Sequence, residues 1–544
     1  MLPSDKKPKV FIVGGLLFGD EGKGTTVEYL AHKFQAQLVI RYNGGPQAMH
    51  HVVFQDQSFH CFSQFGSGSF FPNCKTLLSQ YMVISPHTLL VEMEFLKREG
   101  VSDIENKLFI DSECIIVTPM HKLINRLLET LRSKNNKYGT TGMGVGVTID
   151  DAYNAFQDKL PKGHLFSSKD KINVTCLQIK DLTNDKILYE KLKKMMTEKL
   201  KTVKEILENF KKDPTSVYEN EFLEGDIKPE TDLKSVLEQA NKLVMDFLKG
   251  NTTDSLFQFY RRFVEKFSNC FIDSATLISE YISKGYNIIM EGAQGALLDR
   301  IYGFYPHITK SLCSPENALN LLKDLKSDSF EIIKIGVLRI FSSRHGNGPF
   351  LTHNTNWSKY IKEDHNSSSG WQGDFRIGPF DVVAAKYGID IFNPDYISLT
   401  CLDKLLIAAN EHDDFAKFPI NCGYKSKDPI KIEGLFVYNE KKNYIERIEK
   451  RKEEEAWRSL DLVKNLRNME GYEQNLDEVR DQNLDNKLKE IIEIECKKKF
   501  KDVKEENNIN LGSYVAVIQK LLGVPFKILS FGASFQDKIF VEHT

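Results

Sequence analysis

At roughly 150 residues per domain, a chain of 544 residues has room for several domains or for one large α/β core with insertions. Its 73 Lys and Arg against 75 Asp and Glu leave a net charge of −2, which argues against a protein that holds nucleic acid by its phosphates. At 41% hydrophobic residues a large core can be buried, yet no apolar run reaches about 18 residues, so no membrane span is expected.

The start, MLPSDKKPK, carries charge with no apolar stretch behind it except a short strand pattern, so no ordinary signal peptide is expected. KVFIVGG, AQLVIRYNGG and YMVISPH read as strands or strand ends, and LLVEMEFLKREG reads as a helix with a glycine stop. From about 155 to 270 the texture changes. DKILYEKLKKMMTEKLKTVKEILENFKK and LKSVLEQANKLVMDFLKG space their apolar residues as amphipathic helices, with breaks at the Asp-Pro and Lys-Pro steps of 213–214 and 228–229. Strand texture returns in YNIIMEGAQGALLD, EIIKIGVLRIFSS and DYISLTCLDKLLIAA. A charged stretch around KKNYIERIEKRKEEEAWRSL then reads as a second helical insertion, and PFKILSFGASFQDKIFVEHT as strand, glycine turn and strand.

Strands alternating with helices predict an α/β fold around a mainly parallel sheet. The expected division is 1–154 as the first part of the core, 155–270 as a mostly helical insertion and 271–437 as core again. A charged helical insertion follows over 438–508, and 509–544 holds the last core strands. The nine cysteines contain no C-x-x-C pair, so neither a disulfide framework nor a zinc site is expected, and a reducing, cytoplasmic setting fits.

VFIVGGLLFGDEGKGTTVEYLAHKF is a strand, a glycine-rich loop and a helix. Such a loop aims backbone N–H groups at an anion, and Lys23 stands where an ammonium meets phosphate oxygens. It is not the standard P-loop, because Leu17 and Gly24 occupy positions where that motif needs Gly and Ser or Thr. Two acids, Asp20 and Glu21, lie inside it. Acids there repel phosphate unless they bind a metal or act as a base.

GDEGKG after a hydrophobic strand resembles the signature loop of the adenylosuccinate synthetase family. NGGPQAMHHVVF (43–54), YGTTGMGVG (138–146), EGAQGALLDRIYGFYPHIT (291–309), GVLRIFSSRHGNGPF (336–350) and SLTCLDKL (398–405) resemble it in the same order. The resemblance implies that family's P-loop-like fold, a homodimer, and a reaction joining IMP and aspartate with GTP and Mg2+. In that reaction the 6-oxygen of IMP is phosphorylated, and the amine then displaces the phosphate. Asp20 matches the family's base and metal ligand, His50 its catalytic histidine, and Met49 the residue whose carbonyl meets the metal. Lys23 and Gln294 match groups that act on the transferring phosphoryl and the purine. Gly19, Glu21, Gly22, Gly24, Thr25, Thr141, Thr309, Arg344 and Gly532 match nucleotide-holding positions. Asp403 matches the guanine-reading aspartate, which favours GTP over ATP because a carboxylate accepts two N–H donors that guanine offers and adenine does not.

The departures concentrate on the amine. The family's cross-subunit arginine aligns near Ala155, and Met143 follows Gly142 where the family usually has another arginine. In HNSSSGWQGDFRIGPFD, Gly373, Asp374 and Phe375 stand in the arginine cluster of the aspartate loop, with only Arg376 near it. Arginine forks are the efficient holders of a dicarboxylate, at about 1.5–3 kcal/mol per charged hydrogen bond, unless Arg339 or Arg344 substitutes in space. Cys401 replaces a lysine of the guanine site, and FGASFQDK lacks the family's Pro and Arg. Three readings follow. One is a divergent adenylosuccinate synthetase. The second is a related ligase or phosphotransferase using another amine or acceptor. The third is a non-catalytic nucleotide-binding partner or sensor, against which the Asp20 and His50 pair speaks.

Overall fold

The computed structural model describes residues 7–53, 58–132, 139–155, 175–217, 232–363, 373–426, 435–450, 458–479 and 484–542. The Lys-Pro step at 228–229, the HNSSSGWQ stretch and the RKEEEAW run lie outside the described residues.

The central sheet has ten strands. In chain order they are β1 Lys9–Gly15, β2 Leu38–Arg41, β3 Lys75–Leu78, β4 Leu108–Asp111, β5 Phe271–Ile272, β6 Ile288–Gly295, β7 Glu331–Arg339, β8 Tyr396–Thr400, β9 Phe526–Ser530 and β10 Lys538–Phe540. Across the sheet the order is β10-β9-β8-β7-β1-β6-β2-β3-β4-β5. Every pair is parallel except β9 with the edge strand β10. The sequence explains the centre. Val10, Ile12 and Val13 of β1, Leu38 to Ile40 of β2 and Ile288 to Met290 of β6 are fully buried, and near-continuous apolar runs suit strands covered on both faces. In register, Val10 pairs with Ile288 on one side and Ile332 on the other, so the first strand lies in the middle of the sheet. Strands with this topology hold ligands beyond their carboxyl ends, where the strand order switches.

A smaller five-stranded sheet corrects one expectation. The 438–508 stretch is not wholly helical. Phe436–Asn439 and Tyr444–Ile448 form an antiparallel hairpin, and Met469–Gln474 pairs with Ile420–Ser426. The charges of KKNYIERIEK hide a strand whose Tyr444, Ile445 and Ile448 are buried, and the turn at Asn443, at φ 55°, closes the hairpin. Helices do follow at Arg458–Arg467, Asn486–Lys499 and Glu505–Leu522. The last of these runs into the first part of the 509–544 segment, ahead of β9 and β10.

Six helices matter for the site. They are α1 Lys23–Lys33, α2 Pro119–Leu131, α3 Val145–Ala155, α4 Asp185–Lys212, α5 Leu233–Gly250 and α6 Thr253–Phe267. The helix α4 stops at Lys212, just before the Asp-Pro step. The apolar stripes of α4, α5 and α6, including Leu192, Ala240 and Phe263, share one buried cluster with Leu123 and Leu127 of α2. A polar pin joins the same parts. Asp151 of α3 accepts from Lys199 Nζ of α4 at 2.6 Å and lies 2.9 Å from His121 Nε2 of α2. All three side chains are buried. Removing one partner of such a pair leaves an uncompensated charge, so Lys199→Ala is expected to cost about 3 kcal/mol, read as a lower denaturant midpoint at unchanged slope.

Candidate active site

The glycine loop follows β1 and is folded by its own acids. Gly19, Asp20 and Gly22 hold left-handed φ of 88°, 58° and 91°. Glu21 turns inward, where its carboxylate accepts the Leu17 and Gly19 N–H groups at 2.8 and 3.1 Å and meets Lys23 Nζ at 3.1 Å. It is 2% exposed and lies beneath the cavity rather than on its wall. Its carboxylate therefore shapes the loop, and Lys23 meets its charge. From outside, Thr400 Oγ1 donates to the Glu21 carbonyl at 2.7 Å and Arg339 Nε donates to the Asp20 carbonyl. Asp20 therefore points outward with its side chain 28% exposed.

The second element is a histidine–carboxylate pair. His50 Nδ1 lies 2.5 Å from Glu291 Oε1, and Ser67 donates its N–H to the other Glu291 oxygen at 2.9 Å. Burial pushes the His50 ring toward its neutral form, and Glu291 opposes this. Burial also works against the Glu291 charge, but His50, Arg41 and Ser67 outweigh it and hold the carboxyl down at about 2. Engaging Nδ1 leaves Nε2 as the nitrogen that can exchange a proton with a ligand. Gly24 makes room for this pair, since a Cβ there would lie 2.8 Å from His50 Cβ.

These parts face one cavity of about 420 Å³. Gly19, Asp20, Gly22, Lys23, Gly24 and Thr25 form its floor, with Met49 and His50 beside them. Gln294 and Thr309, tied through Ser311, line one part of it, here the first wing, and Asp403 and Gly532, both near Asp537, line a second, with Thr141 also on the wall. Of the expected residues only Glu21 is off the wall. A relay of polar groups runs along the first wing, from Gln294 Oε1 to Ser311 Oγ at 3.4 Å and on to Thr309 Oγ1 at 3.1 Å. In the second wing, burial raises Asp403, with Lys404 countering. Asp20, Gln294 and Cys401 all hold positive φ without being glycine, so backbone strain collects at the cavity.

Arg339, Arg344 and Arg376 are each engaged by the protein's own groups. Arg344 lines the cavity, but it donates to the Pro349 and His307 carbonyls at 2.9 and 3.2 Å. Arg376 sits opposite it in a hairpin register and donates to the Gly346 and Gly348 carbonyls at 2.6 and 3.1 Å. Arg339 binds Glu363 at 2.7 Å. Residues that sequence reasoning did not single out are Glu291, whose signal was the first letter of EGAQG, and Lys310, Glu363 and His345. His345 Nε2 lies 3.9 Å from Asp20 Oδ2.

The wall suits a magnesium ion that takes most of its ligands from a substrate. Among the described residues there is no cluster of three or more His, Cys, Asp or Glu that would cage a metal. An outward carboxylate on a phosphate-binding loop is the usual protein share of a magnesium site completed by phosphates and water. Asp20, with the Met49 carbonyl, would hold it, and it would neutralise phosphate charge.

The family model described as adenylosuccinate synthetase matches residues 12–225 and 220–539. The chain belongs to the adenylosuccinate synthetase family. The adenylosuccinate synthetase of Gloeothece citriformis is 31% identical over 398 residues, 72% of this chain and 74% of that one. That of Theileria annulata is 29% identical over 402 residues, 73% of this chain and 72% of its own. That of Caldanaerobacter subterraneus subsp. tengcongensis is 26% identical over 536 residues, 97% and 98% of the two chains. The structure of fully ligated adenylosuccinate synthetase from Plasmodium falciparum superposes with a TM-score of 0.68 at 18% identity, covering 98% of this chain and 100% of the other. The fold is therefore the adenylosuccinate synthetase fold, a large mainly parallel sheet with helices around it.

The Glu291 carboxyl gives a pH test. Its folded value, about 2, lies below the ordinary 4.5, so its contribution is complete above 4.5 and is lost as pH falls through 2. Glu291→Gln is expected to cost on the order of 3 kcal/mol at pH 7. The gap to wild type should narrow steadily below pH 4.5 in denaturant titrations.

Proposed function

We propose that the chain is a GTP-dependent ligase that phosphorylates the 6-oxygen of IMP, after which an amine attacks C6 and the 6-oxygen leaves as phosphate, with aspartate the first candidate amine, as part of purine nucleotide synthesis. The observation that carries this reading is that Asp20 of the glycine loop and His50 line one cavity together with Lys23 and Gln294. Asp20 takes the N1 proton of the purine, which raises electron density on the 6-oxygen. Lys23 meets the charge of the transferring phosphoryl group. His50, fixed through Nδ1 by Glu291, donates a hydrogen bond or proton from Nε2 to the same group. Gln294 orients the purine. Asp403 in the far wing reads guanine, which supports GTP as the donor, and bound magnesium supplies further phosphate neutralisation.

A second reading keeps the activating half and changes the amine. It is favoured by the arginines. Arg339, Arg344 and Arg376 all brace the protein's own carbonyls or Glu363. A dicarboxylate would have to displace those bonds or find its cations elsewhere.

One assay separates the readings. Phosphate release is followed with IMP, GTP and magnesium, with and without aspartate, alongside product mass. Release and an adenylosuccinate mass that both require aspartate support the first reading. Release independent of aspartate supports the second. No release with either, while nucleotide still binds, overturns both. Asp20→Asn is expected to lower turnover by about 10²–10⁴-fold while GTP binding persists, because the base is lost and the loop is still held by Glu21.

A further inference from the structure

We propose that Lys199 positions the acceptor side of the cavity, so that the helical layer of α4, α5 and α6 governs how tightly the acceptor nucleotide is held. The inference rests on the nucleotide reading of the cavity given above.

The wall concerned is built by α2, α3 and the loop between them, with Asn125, Thr140, Gly146 and Asp150 facing the cavity. It borders the wing of Gln294 and Thr309. Lys310, next to Thr309, lies 3.5 Å from Asp150, and a Cβ on Gly146 would meet Lys310 Cγ at 3.5 Å. The loop is fastened to α2. Asn125 Oδ1 accepts the Gly144 N–H at 3.0 Å, Asn125 Nδ2 donates to Thr140 Oγ1 at 2.9 Å, and Arg126 Nε donates to the Gly142 carbonyl at 3.2 Å. The contact of His121 with Asp151 then fastens α2 to α3.

Asp150 and Asp151 are neighbours with opposite surroundings. The first side chain is 41% exposed at the cavity, and the second is 8% exposed and meets the helical layer. His121 Nδ1 accepts the Thr118 N–H at 3.0 Å, so in the neutral ring Nε2 carries the hydrogen and donates it to Asp151 at 2.9 Å. Burial favours that neutral ring against the pull of Asp151. The cation that answers the Asp151 charge is then Lys199, at 2.6 Å. Lys199 belongs to α4, whose Leu192, Met195 and Val203 pack in the large cluster of the helical layer. Val145 and Ile149 of α3 pack in a separate small cluster with Val83 and Val117. The ion pair is therefore the buried bond that carries the position of α4 to α3. Without the ammonium, the buried carboxylate must take up a proton or move toward water, and either way α3 loses its anchor on α4. Gly146 and Asp150, on the cavity side of the same helix, then lose their fixed place.

The test is calorimetric binding of IMP and GTP to the full-length protein, beside a denaturant titration of each variant. Lys199→Met is expected to weaken IMP by about tenfold or more and to leave GTP, held in the far wing, unchanged. Leu192→Ala trims the apolar face of the same helix and serves as the control, lowering the denaturant midpoint with IMP binding unchanged. Lys199→Met combined with Asp151→Asn removes both charges, so its midpoint should return toward wild type while IMP stays weak, and it carries the comparison if the single variant does not fold. IMP binding that follows the midpoint through these variants overturns the assignment, because the lysine would then only stabilise the fold. Unchanged IMP binding in the variants that lack Lys199, or equal losses for IMP and GTP, also overturns it. Failure of the wild type itself to bind IMP removes the acceptor reading beneath it, and the assignment with it.

Discussion

The placement of β1 between β6 and β7 is the constraint on which the rest depends. Parallel pairing on both sides fixes where the first strand ends, and the glycine loop must begin there. The neighbouring strands end on the same edge and deliver Gln294, Arg339, Thr400 and Ser530 to it. Residues hundreds of positions apart meet because parallel strands share one direction, not because any local sequence brings them together. The small five-stranded sheet packs into the same buried cluster as β1 and β6, and the helical additions into a cluster with β3 and β4.

Three acids at that edge show how burial assigns roles. Glu21 and Glu291 are both hidden, and each is ringed by donors. One shapes a loop and the other holds an imidazole. Asp20, adjacent in sequence to Glu21, has its backbone carbonyl held by Arg339 and its carboxylate turned to the cavity. The left-handed backbone at Asp20 is what separates the two neighbours. A residue in ordinary extended or helical conformation at that position would send the side chains elsewhere.

Much of this was legible in the chain itself. The strand KVFIVGG runs Lys9–Gly15 and the long amphipathic pattern forms Asp185–Lys212, because burial period and breakers agree there. The order of the short motifs brought all but one of the expected site residues to the cavity wall. What could not be read depends on distant partners. Glu21 looked like a ligand contact, and only the fold shows its oxygens spent on Leu17, Gly19 and Lys23. Arg344 and Arg376 looked available, and their carbonyl acceptors come from loops whose paths no local pattern predicts. The hairpin through Tyr444–Ile448 was misread because its buried residues also fit a helical spacing, and its strand partner decides between the two.

The order of synthesis adds one more consequence. The strand β1, first of the ten along the chain, takes the centre of the sheet, and β9, which brings Ser530 to the cavity wall, follows about 500 residues later with Gly532 just beyond it. A growing chain therefore carries its glycine loop over that whole interval with one side of the pocket missing. Contacts this distant along the chain form slowly and late. A chain broken off before β9 would keep the signature loop and still have no complete site.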